Sequence, residues 1–397
     1  MQPGSVRATQ GWTRQETQMP GMGPTLLEPG REAATPAATT VTPGRPRTVS
    51  VLPNVHMAAG GEVTLSHSDA ERYRVLGVLG EGGMGVVERA EDLDIGRPVA
   101  IKRLLPEASH ALGIARFVSE IRIVGSLDHP NVVPIHDVGV DPDGRYFFVM
   151  KYVEGQTLGD IIDRLAAGDP AATAFWSYER RAELMIAVLQ ALDYAHERGV
   201  IHRDIKPENI MVGSHGEVRL MDWGIARRIG EPDPGEGTGL IGTPAYMSPE
   251  QAACAELDAR SDLYSAAVTL HELMGLRHYL AHRADSMFGL IEAVQSETID
   301  LFGGDTHLPP EMRHICTRGM AKDPALRHQT AAEMIAELRG YIDGTFHVKC
   351  VFTLTKRALR GSGRFVDRRP FVAIGLVAAQ TGLSLFGAVA LIYMLIA

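Results

Sequence analysis

Val200-Ile201-His202-Arg203-Asp204-Ile205-Lys206-Pro207-Glu208-Asn209-Ile210-Met211 is a polar run closed at both ends by apolar residues. Pro207 forbids a continuous helix through it, so the segment reads as a loop. Asp204, Lys206 and Asn209 fall within a few residues of one another. Together they offer a proton acceptor, a cation for a phosphate and an amide oxygen for a metal. Phosphoryl transfer requires those groups, because it depends on positioning and charge neutralisation more than on covalent chemistry. A mixed-charge surface loop is the competing reading of a lone His202-Arg203-Asp204 tripeptide, and the rest of the chain decides between the two.

Upstream, Val75 to Leu79 reads as a strand, and Gly80-Glu81-Gly82-Gly83-Met84-Gly85-Val86-Val87 follows it. Glycines at this spacing let a backbone approach phosphates closely and offer its N–H groups to them. A dinucleotide-binding fold uses the same spacing but requires a helix directly afterwards. Here Val86 to Ala90 reads as a returning strand, so a hairpin is expected. A second strand, Pro98 to Lys102, sets Lys102 amid apolar residues, which is costly unless the ammonium meets an anion. Ala115 to Leu127 has helical periodicity, with Phe117, Ile121 and Val124 on one side. Ser177 to Arg198 shows the same, with Ala182, Met185, Ile186, Leu189, Leu192 and Tyr194 near i, i+3, i+4 spacing. His196 reads as a packed or capping residue and not as a ligand. Glu217 to Met221 reads as a short strand that delivers Asp222.

The 397 residues allow one large domain, or two with appendages. A formal net charge of −9 argues against nucleic acid as the main partner. The three cysteines, Cys254, Cys316 and Cys350, are too scattered for a zinc site or a disulfide framework. Residues 1–70 are rich in Pro, Gly, Thr and Ala and cannot bury enough surface to offset chain entropy, so a disordered tail is expected. It has no apolar core of a signal peptide. It is a tether or a regulatory tail carrying phosphorylatable Thr and Ser.

These motifs, taken in order, resemble the eukaryotic-type serine/threonine protein kinases, and most of all their bacterial members. The resemblance covers roughly residues 73–343. It rests on the glycine loop, Val99-Ala100-Ile101-Lys102, the run His202 to Asn209, Asp222-Trp223-Gly224 and Ser248-Pro249-Glu250. It implies an α+β, two-lobed kinase fold, with a small β-rich lobe and a larger helical one closing on magnesium–ATP. By the same resemblance Asp204 orients or deprotonates the acceptor hydroxyl and Lys206 contacts the transferred phosphoryl group. Asn209 and Asp222 hold Mg²⁺, and Lys102, fixed by Glu120, meets the inner phosphates. Leu79, Gly80, Glu81, Gly82, Gly83, Met84, Gly85, Val86 and Val87 cover the nucleotide. Met150 is the gatekeeper and the backbone of Val153 bonds adenine, with Lys151 standing where glutamate is common. Lys206-Pro207-Glu208 and Gly242-Thr243-Pro244-Ala245-Tyr246 imply Ser and Thr of proteins as acceptors. In such kinases Thr243 bonds the catalytic Asp and Lys, and Arg327 braces Glu250. Trp223 for Phe, Ser248 for Ala and Ala266 for a common Gly are departures that remove no charged catalytic group.

An arginine placed as Arg203 is neutralised in the family by a phosphate on the activation loop, here about 225–247. Thr238, and after it Thr243, is the expected autophosphorylation site. Beyond Asp343, residues 344–370 form a basic linker, and Phe371 to Ala397 is almost wholly apolar and uncharged. A membrane span needs about 20 such residues, so a single transmembrane helix is expected, with the kinase domain on the cytoplasmic side of the cell membrane. The chain would then end at the far face without an external sensor. Gly375/Ala379 and Ala378/Gly382 give small-residue spacing compatible with a homodimer. A catalytically silent kinase fold and a small-molecule kinase are the competing readings. Intact charged positions oppose the first, and the 243–250 segment opposes the second.

Overall fold

The computed structural model describes residues 52, 54–57, 63–66, 71–230, 242–283, 286–297 and 308–346. These fall into two compact units. Residues up to 128 with 132–154 form the first, and 129–131 with the described residues from 155 onward form the second.

The first unit is β-rich. Its earliest elements are β1 (Asn54–Met57) and β2 (Val63–Ser66), an antiparallel pair with Asn54 opposite Ser66. This corrects the expectation of a tail without structure up to residue 70. Val55/Met57 and Val63/Leu65 alternate with polar residues, and Gly60-Gly61 lies between them. That period-two signal was hidden by the composition of the segment as a whole.

The main sheet of this unit has five antiparallel strands in the order β3-β4-β5-β7-β6. They are β3 (Tyr73–Glu81), β4 (Gly85–Asp92), β5 (Arg97–Leu104), β6 (Ile135–Val140) and β7 (Tyr146–Lys151). Side chains alternate across each strand. Val99 and Ile101 of β5 therefore join Tyr73, Ala90, Phe147 and Val149 in one buried cluster, while Lys102 is sent to the opposite face. Arg72 fastens the entry of the chain, forking onto Asp92 at 2.8 and 2.9 Å, while Tyr73 Oη donates to Asp137 at 2.8 Å.

Helix α1 (Ala111–Ser126) is capped by His110, whose Nδ1 accepts from Gly113 N at 3.1 Å. Its buried residues are Gly113, Phe117, Glu120, Ile123 and Val124. Ile123, and not the expected Ile121, completes the buried face. At 100° per residue that face centres near Glu120 and Val124, and Ile121 lies at its margin. Phe117 meets Phe148 at 5.4 Å between ring centroids.

The second unit is mainly helical. In chain order it holds β8 (Gly155–Thr157), α2 (Leu158–Ala166), α3 (Pro170–Phe175), α4 (Tyr178–His196), β9 (Val200–Ile201), β10 (Ile210–Gly213), β11 (Val218–Leu220) and β12 (Arg227–Arg228). Then come α5 (Pro249–Ala252), α6 (Ala259–Gly275), α7 (Met287–Ser296), α8 (Pro310–Gly319) and α9 (Ala331–Asp343). Helix α4 starts at Ser177, whose hydroxyl accepts from Arg180 N, a preferred cap. It packs against α6 and α9. Ala182, Met185, Ile186, Leu189 and Leu192 are buried as the periodicity requires, whereas Tyr194 is half-buried and carries Arg198 on its ring at 3.5 Å. Two small sheets, β11-β10-β8 and β12-β9, frame the loop between Ile201 and Ile210.

Among the described residues no helix is long and apolar enough to cross a membrane. The apolar stretch 371–397, the basic linker from residue 347 onward and Thr238 lie outside the described residues.

Candidate active site

In the first unit, β5 and α1 bring Lys102 and Glu120 together, with Nζ to Oε1 at 2.7 Å. Both side chains are largely withdrawn from water, so each charge depends on the other. The strand register sets Lys102 opposite Phe148, and Ala100 opposite Met150. The glycine loop closes the β3–β4 hairpin, and Gly82 N donates to Gly85 O at 2.9 Å. A Cβ on Gly85 would stand 2.8 Å from Arg103 O and 3.5 Å from Lys102 Cγ. Only glycine lets this turn rest so closely beside the lysine. Gly80 has open space around its missing side chain. Leu79 and Glu81 are exposed and Gly83 is too, while Met84 in the turn and Val86 and Val87 on the returning strand are half-buried. Met150 and Val153 are buried.

In the second unit Pro207 opens a short 3₁₀ turn through Asn209, so the expected loop is present. Asp204 is its centre. Oδ1 accepts from Thr243 N at 3.1 Å and from Thr243 Oγ1 at 2.9 Å. Oδ2 accepts from Asn209 Nδ2 at 2.9 Å and lies 2.9 Å from Lys206 Nζ. Lys206 Nζ also donates to Thr243 Oγ1 at 2.7 Å. A carboxylate, an ammonium, a hydroxyl and an amide are thus fixed within hydrogen-bond reach of one another. Asn209 Nδ2 donates as well to Asp204 O at 2.8 Å, which turns its Oδ1 away as the remaining ligand atom. Met221 N donates to Asn209 O at 2.8 Å, and this ties the start of the Asp222 turn to the loop. Asp222 has a left-handed backbone, φ +54°, and an exposed carboxylate. Two oxygen donors of this kind suit a hard divalent cation that keeps several waters. Among the described residues no cluster of three or more His, Cys, Asp or Glu is arranged around a metal position.

The loop is held from below by residues that the sequence did not single out. Asp262, at the start of α6, is fully buried and accepts three N–H groups at 2.8 Å each: His202 N, Arg203 N and His196 Nε2. Burial alone would raise its carboxyl, but the bond to His196, together with the nearby rings and the His202 amide, brings it below the usual range. His196 is the packed residue it was expected to be. His202 Nδ1 accepts from Asp204 N at 3.2 Å, so the ring carries its proton on Nε2, which faces Met221 O at 3.1 Å. Burial lowers the His202 pKa and keeps that ring neutral. Asp262 is 60 residues from His202, and no local pattern announces such a contact.

Trp223 is buried against His202, with ring centroids 4.5 Å apart, and its Nε1 donates to Leu220 O. Ser248 caps α5. Ala266 lies wholly inside α6. Arg327 grips Glu250 through both carboxylate oxygens at 2.7 Å each. Arg203 Nε donates to Ile225 O.

A model of the protein kinase domain matches residues 73–337. The chain belongs to the protein kinase family. Bacterial kinases are among the relatives it resembles. A probable serine/threonine-protein kinase of Streptomyces coelicolor is 36% identical over 310 residues, covering 76% of this chain and 44% of the relative. Pkn3 of Myxococcus xanthus is 38% identical over 285 residues, covering 68% and 50%. PrkC of Bacillus subtilis is 34% identical over 274 residues, covering 68% and 41%. The chain spans half or less of the length of those relatives.

Proposed function

We propose that the chain is a serine/threonine protein kinase that moves the terminal phosphoryl group of ATP to Ser and Thr hydroxyls of proteins. The observation that carries this reading is the set of bonds around Asp204. Thr243 and Asn209 fix its carboxylate while Lys206 lies 2.9 Å away, so the group is held in one place to orient an incoming hydroxyl and accept its proton. Lys206 is placed to contact the phosphoryl group in flight. Bound magnesium–ATP supplies the phosphoryl group and neutralises charge as it moves. Asn209 Oδ1 and Asp222 would hold the metal, and Lys102, aligned by Glu120, would hold the inner phosphates. The backbone of the loop from Leu79 to Val87 would cover the phosphates, with Val153 bonding adenine. The likeness to bacterial serine/threonine-protein kinases supports the acceptor class.

The purified protein, given Mg²⁺ and labelled ATP, should phosphorylate a generic protein acceptor on Ser and Thr, and Asp204→Ala should abolish it. Full transfer by Asp204→Ala, or none by the wild type, rules the assignment out. The Thr243 hydroxyl is engaged with Asp204 and Lys206, which favours Thr238 as the site of autophosphorylation that orders the loop through Arg203. The basic 344–370 segment and the uncharged 371–397 stretch support a single-pass anchor with the kinase domain in the cytoplasm. Deleting 371–397 should move the protein from the membrane to the soluble fraction. Small-residue spacing in that stretch would let two copies pair.

A further inference from the structure

The geometry points to Gln251 as a positioning residue for phosphoryl transfer: its amide ties the peptide that leads into Asp204 to the segment that follows Thr243. The inference rests on the kinase reading and extends it. Arg203 has φ +70°, a left-handed conformation that costs about 1 kcal/mol or more in a residue with a side chain. Such a residue persists only where its surroundings over-determine it. Its N–H is held by Asp262. Its carbonyl accepts from Gln251 Nε2 at 2.9 Å. The other end of the same peptide, Asp204 N, donates to the His202 ring. The plane between Arg203 and Asp204 is therefore clamped at both ends by side chains. Rotating it would swing the Asp204 carboxylate away from Thr243 and Asn209.

Gln251 does not act alone. Its Oε1 accepts from Ser248 N at 3.0 Å, and its own N donates to Ser248 Oγ at 3.2 Å, the reciprocal bonds of a capping box. One buried amide thus closes the first turn of α5 with its oxygen and grips the catalytic loop with its nitrogen. Chain crowding makes the bond hard to replace with water: a Cβ on Gly242 would already lie 3.3 Å from Arg203 O. Thr243, the next residue, bonds Asp204 directly. The 242–251 segment consequently touches the loop at both of its ends, through Thr243 on the carboxylate and through Gln251 on the peptide.

Gln251→Glu separates the two roles. A carboxylate still accepts from Ser248 N but opposes the Arg203 carbonyl, so the cap survives and the grip is lost. Ser248→Ala does the reverse, removing the cap hydroxyl and leaving the amide on Arg203. Steady-state phosphorylation of a protein acceptor is measured for each full-length variant, with the ATP-binding stoichiometry and melting temperature recorded alongside. The expected result for Gln251→Glu is a kcat about 10-fold or more below wild type, with KM for ATP within 2-fold and one ATP bound per chain. Ser248→Ala should lower the melting temperature and keep kcat within about 3-fold of wild type. A Gln251→Glu kcat within 2-fold of an active wild type overturns the inference alone. So does a loss of activity matched by an equal loss of ATP-binding chains. An inactive wild type overturns the kinase reading and this inference with it.

Discussion

Arg327→Lys tests how the helical unit is held together. The guanidinium has five N–H groups, and five acceptors surround it. Glu250 takes two bonds at 2.7 Å, and Ala321 O, Arg260 O and Lys322 O accept at 2.7, 3.1 and 3.0 Å. The side chain is fully shielded from water, and Ser261 Oγ donates to the same carboxylate at 2.6 Å. Lysine keeps the charge but offers three donors from one point, so at least two acceptors lose their partner. At about 1–3 kcal/mol for each buried group left unsatisfied, the cost is roughly 2–6 kcal/mol. For a unit of this size that lowers the melting temperature by roughly 5–20 °C. Calorimetry at neutral pH reads this directly. The pair also has a pH signature. Burial would raise the Glu250 carboxyl, but Arg327 and Ser261 hold it below its ordinary value. Its contribution is therefore present above the unfolded carboxylate pKa, about 4.3, and is lost as pH falls through the lower folded value. The gap between wild type and Arg327→Lys should narrow in acid. A variant that melts within about 2 °C of wild type at neutral pH would refute the reasoning, because so small a shift leaves no room for two orphaned groups.

Asp204→Asn should lower kcat by about 100-fold or more and leave ATP binding intact, which a binding titration beside the kinetic assay distinguishes. Thr243→Val removes the hydroxyl shared by Asp204 and Lys206; kcat should fall about 10-fold, and phosphosite mapping of active wild type should find residue 243 unmodified. Glu272 accepts from Tyr246 Oη at 2.6 Å, and burial pushes its carboxyl up to about 7, with Glu208 and Asp163 adding to the rise. The folded form therefore holds a proton that the unfolded chain releases, and stability is lost as pH climbs from about 4.5 to about 7. Glu272→Gln should be more stable than wild type above pH 7, by up to about 3 kcal/mol, and no more stable at pH 4, as paired denaturant titrations would read. Asp262→Asn turns an amide donor towards N–H groups that now meet oxygen. Melting temperature and kcat should both fall, the former by roughly 2–8 °C.

What the sequence made legible was whatever is written locally. The glycine loop followed by apolar Val86-Val87 announced a hairpin, and the apolar run ending at Lys102 announced that its ammonium needs an anion. Asp204, Lys206 and Asn209 sit within one turn of chain, so their convergence followed from spacing. The pairing of Lys102 with Glu120 and of Glu250 with Arg327 came from family likeness, since 18 and 77 residues separate the partners. The support beneath the loop was not legible. Asp262 looks like any acid in the first turn of a helix, and only folding sets it under three N–H groups. Gln251 likewise looks like a surface polar residue three positions after a serine. The face of α1 was misjudged by one residue because its margin depends on how the helix rolls against Phe148. The β1–β2 pair was missed because each strand is only four residues long and the whole of residues 1–70 was judged by its average composition.

The indole at position 223 has a practical consequence. The chain has only three tryptophans, Trp12, Trp176 and Trp223. The last is sealed beside the histidine that anchors the catalytic loop. Replacing Trp12 and Trp176 with phenylalanine would leave a single tryptophan, one residue from Asp222 and selectively excited beyond the tyrosine band. Its emission colour and quenching would then report, in real time and without a label, each departure of that turn from its present seat.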